Sequence, residues 1–232
     1  MKVAVYSGTE NIYIDMMTSV KSLLINSDVD LIYLLIETDE FPFVLPDNVK
    51  TINMSKQTYF PADGANINTS YTYMCLLRSA YAKIFPQYDR ILSLDSDTII
   101  DKDISDLWDL PIDDYYFAAS RETHRSYAGY IYANAGVTLF NLKKLRDDKK
   151  VDELIHVLNT TEYTWIDQDV NNYLCQGRIY DMPSCYNVND WTVKTDDVKI
   201  KHFAGIKHFQ NDPLYLKYRS IPLSEIRKDA KK

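Results

Sequence analysis

The sequence predicts an α/β chain built as a single mixed, mostly parallel sheet flanked by helices. Continuous apolar runs such as Leu31 to Ile36 have the character of strands buried on both faces. These runs alternate with helix-period segments through the first third of the chain, the order that gives a parallel, helix-covered sheet. Hydrophobic residues make up 46% of 232 residues, against six glycines and eight prolines, which is enough to bury a core.

Val3 to Tyr6 is the first strand. Ile12, Met16, Val20, Leu23 and Leu24 recur at helical spacing and predict a helix over Ile12 to Ile25. Leu31 to Ile36 and Val49 to Asn53 follow as strands, then a Gly/Asn/Ser/Thr-rich loop to Ser70. Tyr73 to Phe85 is predicted as a helix stopped by Pro86, and Arg90 to Leu94 as the next strand. Asp101 and Asp103 are suited to starting a helix over Ile104 to Leu110. Tyr115 to Ala119 and Gly136 to Leu142 are expected strands. Lys143 to Asn159 is expected as a helix in two pieces, and Ile166 to Leu174 as another helix. Gly177 to Phe209 is mostly loop with short strands. The expected division is a catalytic domain over 1–212, its nucleotide half roughly 1–100 and its acceptor half roughly 101–212, with a C-terminal tail over 213–232.

The net charge of −7 argues against binding to nucleic-acid backbones. No run of eighteen apolar residues exists, so no transmembrane segment is expected, and Met1 to Tyr6 is too short for the apolar region of a secretory signal. Cys75, Cys175 and Cys185 are odd in number and form no disulfide framework, which points to a reducing, cytoplasmic setting. They lack the paired spacing that a zinc site needs. The basic end Arg227 to Lys232 reads as a frayed, solvated tail.

The strand Arg90 to Leu94 runs directly into Asp95-Ser96-Asp97. Ligands in open α/β sheets bind beyond the carboxyl ends of strands, and two carboxylates one residue apart suit a hard cation shared with phosphate oxygens. An acidic turn is the plainer reading of the pair alone. Phosphatases with an aspartyl nucleophile also place a carboxylate pair after an apolar strand, but they want Thr or Val where this chain has Ile99.

Further segments, in order, resemble glycosyltransferase family 8. They are Tyr6-Ser7-Gly8-Thr9-Glu10-Asn11, Arg78, Tyr88 to Asp97, Asn134-Ala135-Gly136 with the strand after it, Asp167-Gln168-Asp169, and His202-Phe203-Ala204-Gly205. The resemblance runs from about Val3 to Phe209. It implies a glycosyltransferase-A fold with a Rossmann-like nucleotide half, a UDP-sugar donor (UDP-glucose or UDP-galactose), Mn²⁺ (or Mg²⁺), and hexose transfer with retention. By similarity, Asp95, Asp97 and His202 are the metal ligands. Ser7, Gly8, Thr9, Asn11, Arg78, Asp95, Ser96, Asn134, Ala135 and Gly205 contact the donor. Asp167, Gln168 and Asp169 lie under the reactive sugar face, and Glu122 stands for a sugar-contacting Asp of the family.

The plainer readings are a buried histidine for His202, a solvated helix charge for Arg78, a turn for Asn134-Ala135-Gly136 and a helix N-terminus for Asp167 and Gln168. The family carries a Lys six residues after its histidine. Here His208 holds that position and Lys207 comes one place early, so the cation on the leaving diphosphate is Lys207 or His208. That departure motivates a second reading, a catalytically weak or inactive nucleotide-sugar-binding module. The acceptor, whether glycan, lipid, protein or small molecule, is not encoded in these motifs. Tyr115, Tyr116, Tyr127, Tyr130 and Tyr132 are aromatic candidates for contacting it.

Overall fold

The computed structural model describes residues 1–127 and 129–226. Strand β1 (Val3–Ser7) is followed by a 3₁₀ turn and helix α1 (Tyr13–Asn26), then β2 (Leu31–Ile36) and β3 (Val49–Asn53). Helix α2 (Tyr81–Ile84) precedes β4 (Arg90–Leu94) and β5 (Thr98–Ile100). A long hairpin, β6 (Phe117–Tyr127) and β7 (Tyr130–Asn141), leads to α3 (Leu142–Asp147), α4 (Lys150–Thr160) and α5 (Ile166–Leu174). Strands β8 (Ile179–Asp181) and β9 (Ile200–His202) and helix α6 (Pro213–Ser220) complete the set.

Seven strands form one sheet in the order β3-β2-β1-β4-β7-β6-β8. The first four are parallel, β7 runs antiparallel to both β4 and β6, and β8 is parallel to β6. The expected mixed, mostly parallel sheet is therefore present. Side chains alternate along β1, sending Val3 and Val5 into one core and Ala4 and Tyr6 into the other, as a strand covered on both faces requires. Helix α1 packs on the second core, while α3, α4, α5 and the Tyr73–Ile84 segment close the first.

Several elements differ from expectation. Tyr73–Ala80 is a 3₁₀ helix and only Tyr81–Ile84 is α-helical. The tighter winding brings Arg78 over Cys75, whose carbonyl accepts from Arg78 Nε at 3.2 Å. The expected strands 115–119 and 136–142 are the ends of the longer β6–β7 hairpin. Its polar middle reads as loop, and its register shifts on either side of Arg121, as bulges cause. Asn134-Ala135-Gly136 accordingly lies within β7 and is not a turn. The N-cap of the 3₁₀ turn Ser105–Asp109 is Ile104, with no side-chain cap; Asp103, one place earlier, accepts from Ser105 N at 2.9 Å, and Asp101 instead pairs with Lys217 and Tyr218.

Where a tail was expected from residue 213, α6 begins, capped by Asp212 with Pro213 in its first turn. Its Tyr215 and Tyr218 are buried with Ile99 and Phe203. Arg227 to Lys232 lie outside the described residues. Among the described residues no helix is long and apolar enough to cross a membrane.

Candidate active site

The acidic turn is held from three sides. Asp95 N donates to Gly136 O at 2.8 Å, extending the β4–β7 pairing by one bond. Thr98 N and Oγ1 both donate to Asp95 O, at 3.2 and 2.7 Å, and close the turn into β5. β5 then pairs antiparallel with β9 in the register Thr98 to His202, and Phe203 N donates to Asp97 O at 2.9 Å. Two three-residue strands thus bring His202 to the carboxylates from across the chain.

Among the described residues the outer edge of β5 has no strand beside it. Helix α1 takes that place with one polar face: Ser22 Oγ accepts from Ile100 N at 2.9 Å, Asn26 Nδ2 donates to Ile100 O at 2.9 Å, and Ser19 Oγ meets Thr98 Oγ1 at 3.0 Å. Ser19 also donates to the buried Tyr6 hydroxyl at 3.0 Å. The apolar spacing that located α1 gave no sign of this role for its serines.

Asp95, Asp97 and His202 each offer a ligand atom, all within 4.8 Å of one another. His202 Nε2 stands 3.3 Å from Asp97 Oδ1 and 3.8 Å from Asp95 Oδ2. Ligand atoms about 2.1–2.3 Å from an octahedral cation stand ~3.0–3.3 Å apart at right angles, so a small contraction fits a divalent ion. The donor set of two carboxylates and one imidazole suits such a metal. Burial disfavours the His202 cation, but Asp97 and Asp95 outweigh it and raise its pKa. Gly136 makes room for the ring, since a Cβ there would fall 2.0 Å from His202 Cε1. Ser96 Oγ is buried and has no hydrogen-bond partner among the described residues.

Arg78 is buried and bridges the two acidic groups of the site. Its Nη2 pairs with Asp95 Oδ1 at 2.7 Å, its Nε with Asp167 Oδ2 at 3.0 Å, and its Nη1 donates to Ala135 O at 2.6 Å. Asp95 is thereby divided, Oδ1 to the guanidinium and Oδ2 towards His202. Burial opposes its charge, but Arg78 and then His202 hold its pKa below the usual carboxylate range. Asp167 is pushed up to about 6, by burial first, with Arg78 acting against the rise and Asp95 adding to it.

The first turn of α5 brings Asp167, Gln168 and Asp169 beside β7. Gln168 Oε1 accepts from Ala135 N at 2.9 Å, and its Nε2 donates to Glu122 Oε1 and Tyr132 Oη, both at 3.1 Å. Tyr132 Oη donates to Asp169 Oδ1 at 2.7 Å, and Trp165 N to Asp169 Oδ2 at 2.9 Å. Asn134 Nδ2 reaches the same Glu122 oxygen at 3.0 Å. Arg78, Ala135, Gln168, Asn134 and Glu122 therefore form one connected group with the acidic pair.

The first loop, Ser7 to Asn11, leaves the carboxyl end of β1, the edge at which Asp95 leaves β4. Gly8 N donates to Leu35 O at 3.1 Å, and a Cβ on Gly8 would meet Ile12 Cδ1 at 2.4 Å. Thr9 Oγ1 donates to Asn11 Oδ1. Gly205, at φ +70°, turns the chain after β9. Lys207 and His208 follow on an exposed stretch, and among the described residues neither forms an ion pair. Of the tyrosine cluster, Tyr116 and Tyr132 are buried and Tyr130 is exposed; the Tyr127 side chain lies outside the described set.

The model of the family described as glycosyl transferase family 8 matches residues 4–210. The chain belongs to this family. Membership displaces the aspartyl-phosphatase reading of Asp95 and Asp97. A Haemophilus influenzae protein named putative glycosyltransferase is 29% identical over 149 residues, 59% of this chain and 44% of that protein. The glycosyltransferase GlyE of Streptococcus pneumoniae is 33% identical over 106 residues, 44% of this chain and 25% of that protein. These matches span under half the length of those relatives.

Among solved structures, GlyE superposes with a TM-score of 0.74 at 20% identity, covering 97% of this chain and 62% of that one. The galactosyltransferase LgtC, solved with donor and acceptor sugar analogues, gives 0.70 at 19% identity, covering 96% of this chain and 98% of its own. Both likenesses show the fold, which is the glycosyltransferase-A fold.

Proposed function

We propose that this family member is a retaining, metal-dependent glycosyltransferase that moves a hexose from UDP-glucose or UDP-galactose to an acceptor hydroxyl. The observation that carries this reading is the convergence of Asp95, Asp97 and His202 next to the Arg78–Asp167 pair and Gln168. Asp95 Oδ2, Asp97 Oδ1 and His202 Nε2 would hold Mn²⁺ or Mg²⁺. When bound, the ion neutralises charge on the diphosphate leaving group as a Lewis acid.

The residues themselves divide the remaining work. Arg78 holds Asp95 in orientation and keeps Asp167 charged-paired beside the sugar site. Asn134, Ala135 and Gln168 orient the sugar, and Ser7 to Asn11 with Ser96 and Gly205 hold the nucleotide and diphosphate. A basic group at Lys207 or His208 adds charge stabilisation as the diphosphate departs.

Retention is best explained by attack from the leaving group's own side. Asp167 is ion-paired to Arg78, and Asp169 accepts from Tyr132 and Trp165, contacts that lower the nucleophilicity of both carboxylates. In this step the anomeric carbon–oxygen bond to the diphosphate breaks, the acceptor oxygen bonds the same face, and its proton passes to a diphosphate oxygen. The acceptor remains a glycan, lipid, protein or small molecule, and a cytoplasmic site of action fits the free cysteines.

The reading is tested by incubating the protein with a panel of UDP-sugars and Mn²⁺. Slow donor hydrolysis with one hexose donor, lost on adding a chelator, is the expected result. Binding without turnover, even with acceptors supplied, would favour the inactive binding module.

A further inference from the structure

A chain of side-chain amides, part-buried at Gln168 and buried from Asn134 on, links the sugar side of the site to the metal cluster. Gln168 Nε2 and Asn134 Nδ2 both donate to Glu122 Oε1, at 3.1 and 3.0 Å. Asn134 Oδ1 accepts from Gly136 N at 3.1 Å and from Asn187 Nδ2 at 3.0 Å. Asn187 Oδ1 then lies 2.8 Å from His202 Nδ1 and accepts from Asn189 Nδ2 at 3.0 Å. Asn187 is 0% exposed and His202 3%, so water does not substitute for these partners.

The amide directions along the chain follow from its two ends. An ionised carboxylate only accepts, so Asn134 turns its NH₂ to Glu122. The Gly136 N–H only donates, so the Asn134 carbonyl faces it, and that carbonyl also receives the Asn187 NH₂. Independently, Asn189 Oδ1 accepts from Trp191 N at 2.8 Å and Thr192 N at 3.1 Å, which turns its NH₂ to Asn187 Oδ1 at 3.0 Å; the same Nδ2 stands 3.3 Å from His202 Nδ1, farther than the Asn187 carbonyl at 2.8 Å. Both ends turn the Asn187 carbonyl towards His202. The shorter contact to an acceptor places a proton on the ring nitrogen facing Asn187, which in the neutral ring leaves Nε2 as the nitrogen available to a cation beside Asp95 and Asp97.

We propose that Asn187 is a positioning residue: it holds His202 in the Nδ1-protonated tautomer that presents Nε2 as a ligand, and ties that ligand to Asn134. Outer partners of a ligating histidine fix its tautomer and ring orientation in this way. The proposal rests on the metal-dependent reading above, but the tautomer is a property of the protein alone.

Nitrogen NMR of His202 in the metal-free wild type, at a pH where the ring is neutral, is expected to show Nδ1 protonated and Nε2 bare. The opposite tautomer would overturn the proposal, whether or not the protein binds metal. Mn²⁺ titration followed by electron paramagnetic resonance, without sugar nucleotide, then compares variants. Asn187→Leu is expected to weaken Mn²⁺ binding by about 10- to 100-fold. Asn187→Asp keeps an acceptor for Nδ1–H and is expected to retain Mn²⁺ affinity. It loses the donor to Asn134, so its KM for the sugar donor rises. Unchanged Mn²⁺ affinity in folded Asn187→Leu, or equal losses in both variants, would show a merely structural role. Should Asn187→Leu fail to fold, the NMR result and Asn187→Asp still decide. A wild type that binds no Mn²⁺ would refute the metal reading, with the tautomer still measurable.

Discussion

Gly136 and His202 are packed so closely that a Cβ on the glycine would fall 2.0 Å from the imidazole Cε1. Ring and backbone are both buried, so no flexible group can yield. Gly136→Ala is therefore expected to displace His202 and weaken Mn²⁺ binding by at least about tenfold, the lower end of what misplacing a ligand costs. The overpacking is also expected to cost about 1–3 kcal/mol of stability. Titration of the folded variant with Mn²⁺ checks the first effect and urea denaturation the second. Full metal affinity in the variant would mean that the ring can stand elsewhere.

Arg78 is the shared partner of Asp95 and the buried Asp167. Arg78→Met leaves Asp167 without its cation, and breaking a buried pair from one side costs about 3–5 kcal/mol. Donor hydrolysis is expected to fall with it. Arg78→Lys is expected to recover part of the stability but little of the activity, because one ammonium cannot reproduce the two-sided guanidinium contact. A Lys variant with wild-type turnover would reduce Arg78 to a charge.

The raised Asp167 carboxyl sets a pH dependence of known sign. Its ordinary value is 3.8 and in the fold it titrates near about 6, so the folded chain holds a proton that the unfolded chain has released. The stabilisation is complete below about pH 4 and is lost as pH rises through about 6, a change of about 3 kcal/mol for this group. Asp167→Asn is expected to remove that decline, seen as a flatter plot of urea midpoint between pH 4 and 7. Parallel curves for the two proteins would show that Asp167 titrates normally.

Helix α1 acts on the acidic turn through Ser22, which accepts from the otherwise unpaired Ile100 N. Ser22→Ala is expected to cost about 1–3 kcal/mol through the orphaned buried donor, with weaker Mn²⁺ binding in the folded fraction. Ser22→Thr, which keeps the hydroxyl, is the control. Equal stability of wild type and Ser22→Ala would indicate that the turn stands without the helix.

Much of this arrangement was legible in the chain. The buried strands β1, β2 and β4 are apolar runs in the sequence, and the apolar period and acidic first turn of α5 agree on its bounds. Asp95, Asp97, Arg78, Asn134, Gln168 and His202 stand in readable motifs, and the fold places them in one connected group. The β5–β9 pairing that joins His202 to the carboxylates was not legible, since three residues carry no periodicity. Nor were the inner strands of the β6–β7 hairpin: Arg121, Glu122 and Asn134 resemble loop chemistry until their partners across the strand are known. Asn187 and Asn189 gave no signal at all, being ordinary polar residues in a segment without pattern. Local sequence describes propensity and period, whereas these residues are defined by contacts made far along the chain.

The most direct test of the metal-centred site is calorimetric titration of the wild type and Asp97→Ala with UDP-glucose and UDP-galactose, with and without Mn²⁺. Donor binding that requires Mn²⁺ in the wild type and disappears in a fully folded Asp97→Ala is the expected result. Equal donor affinity in the two proteins, or binding indifferent to Mn²⁺, would contradict a metal held by Asp95, Asp97 and His202.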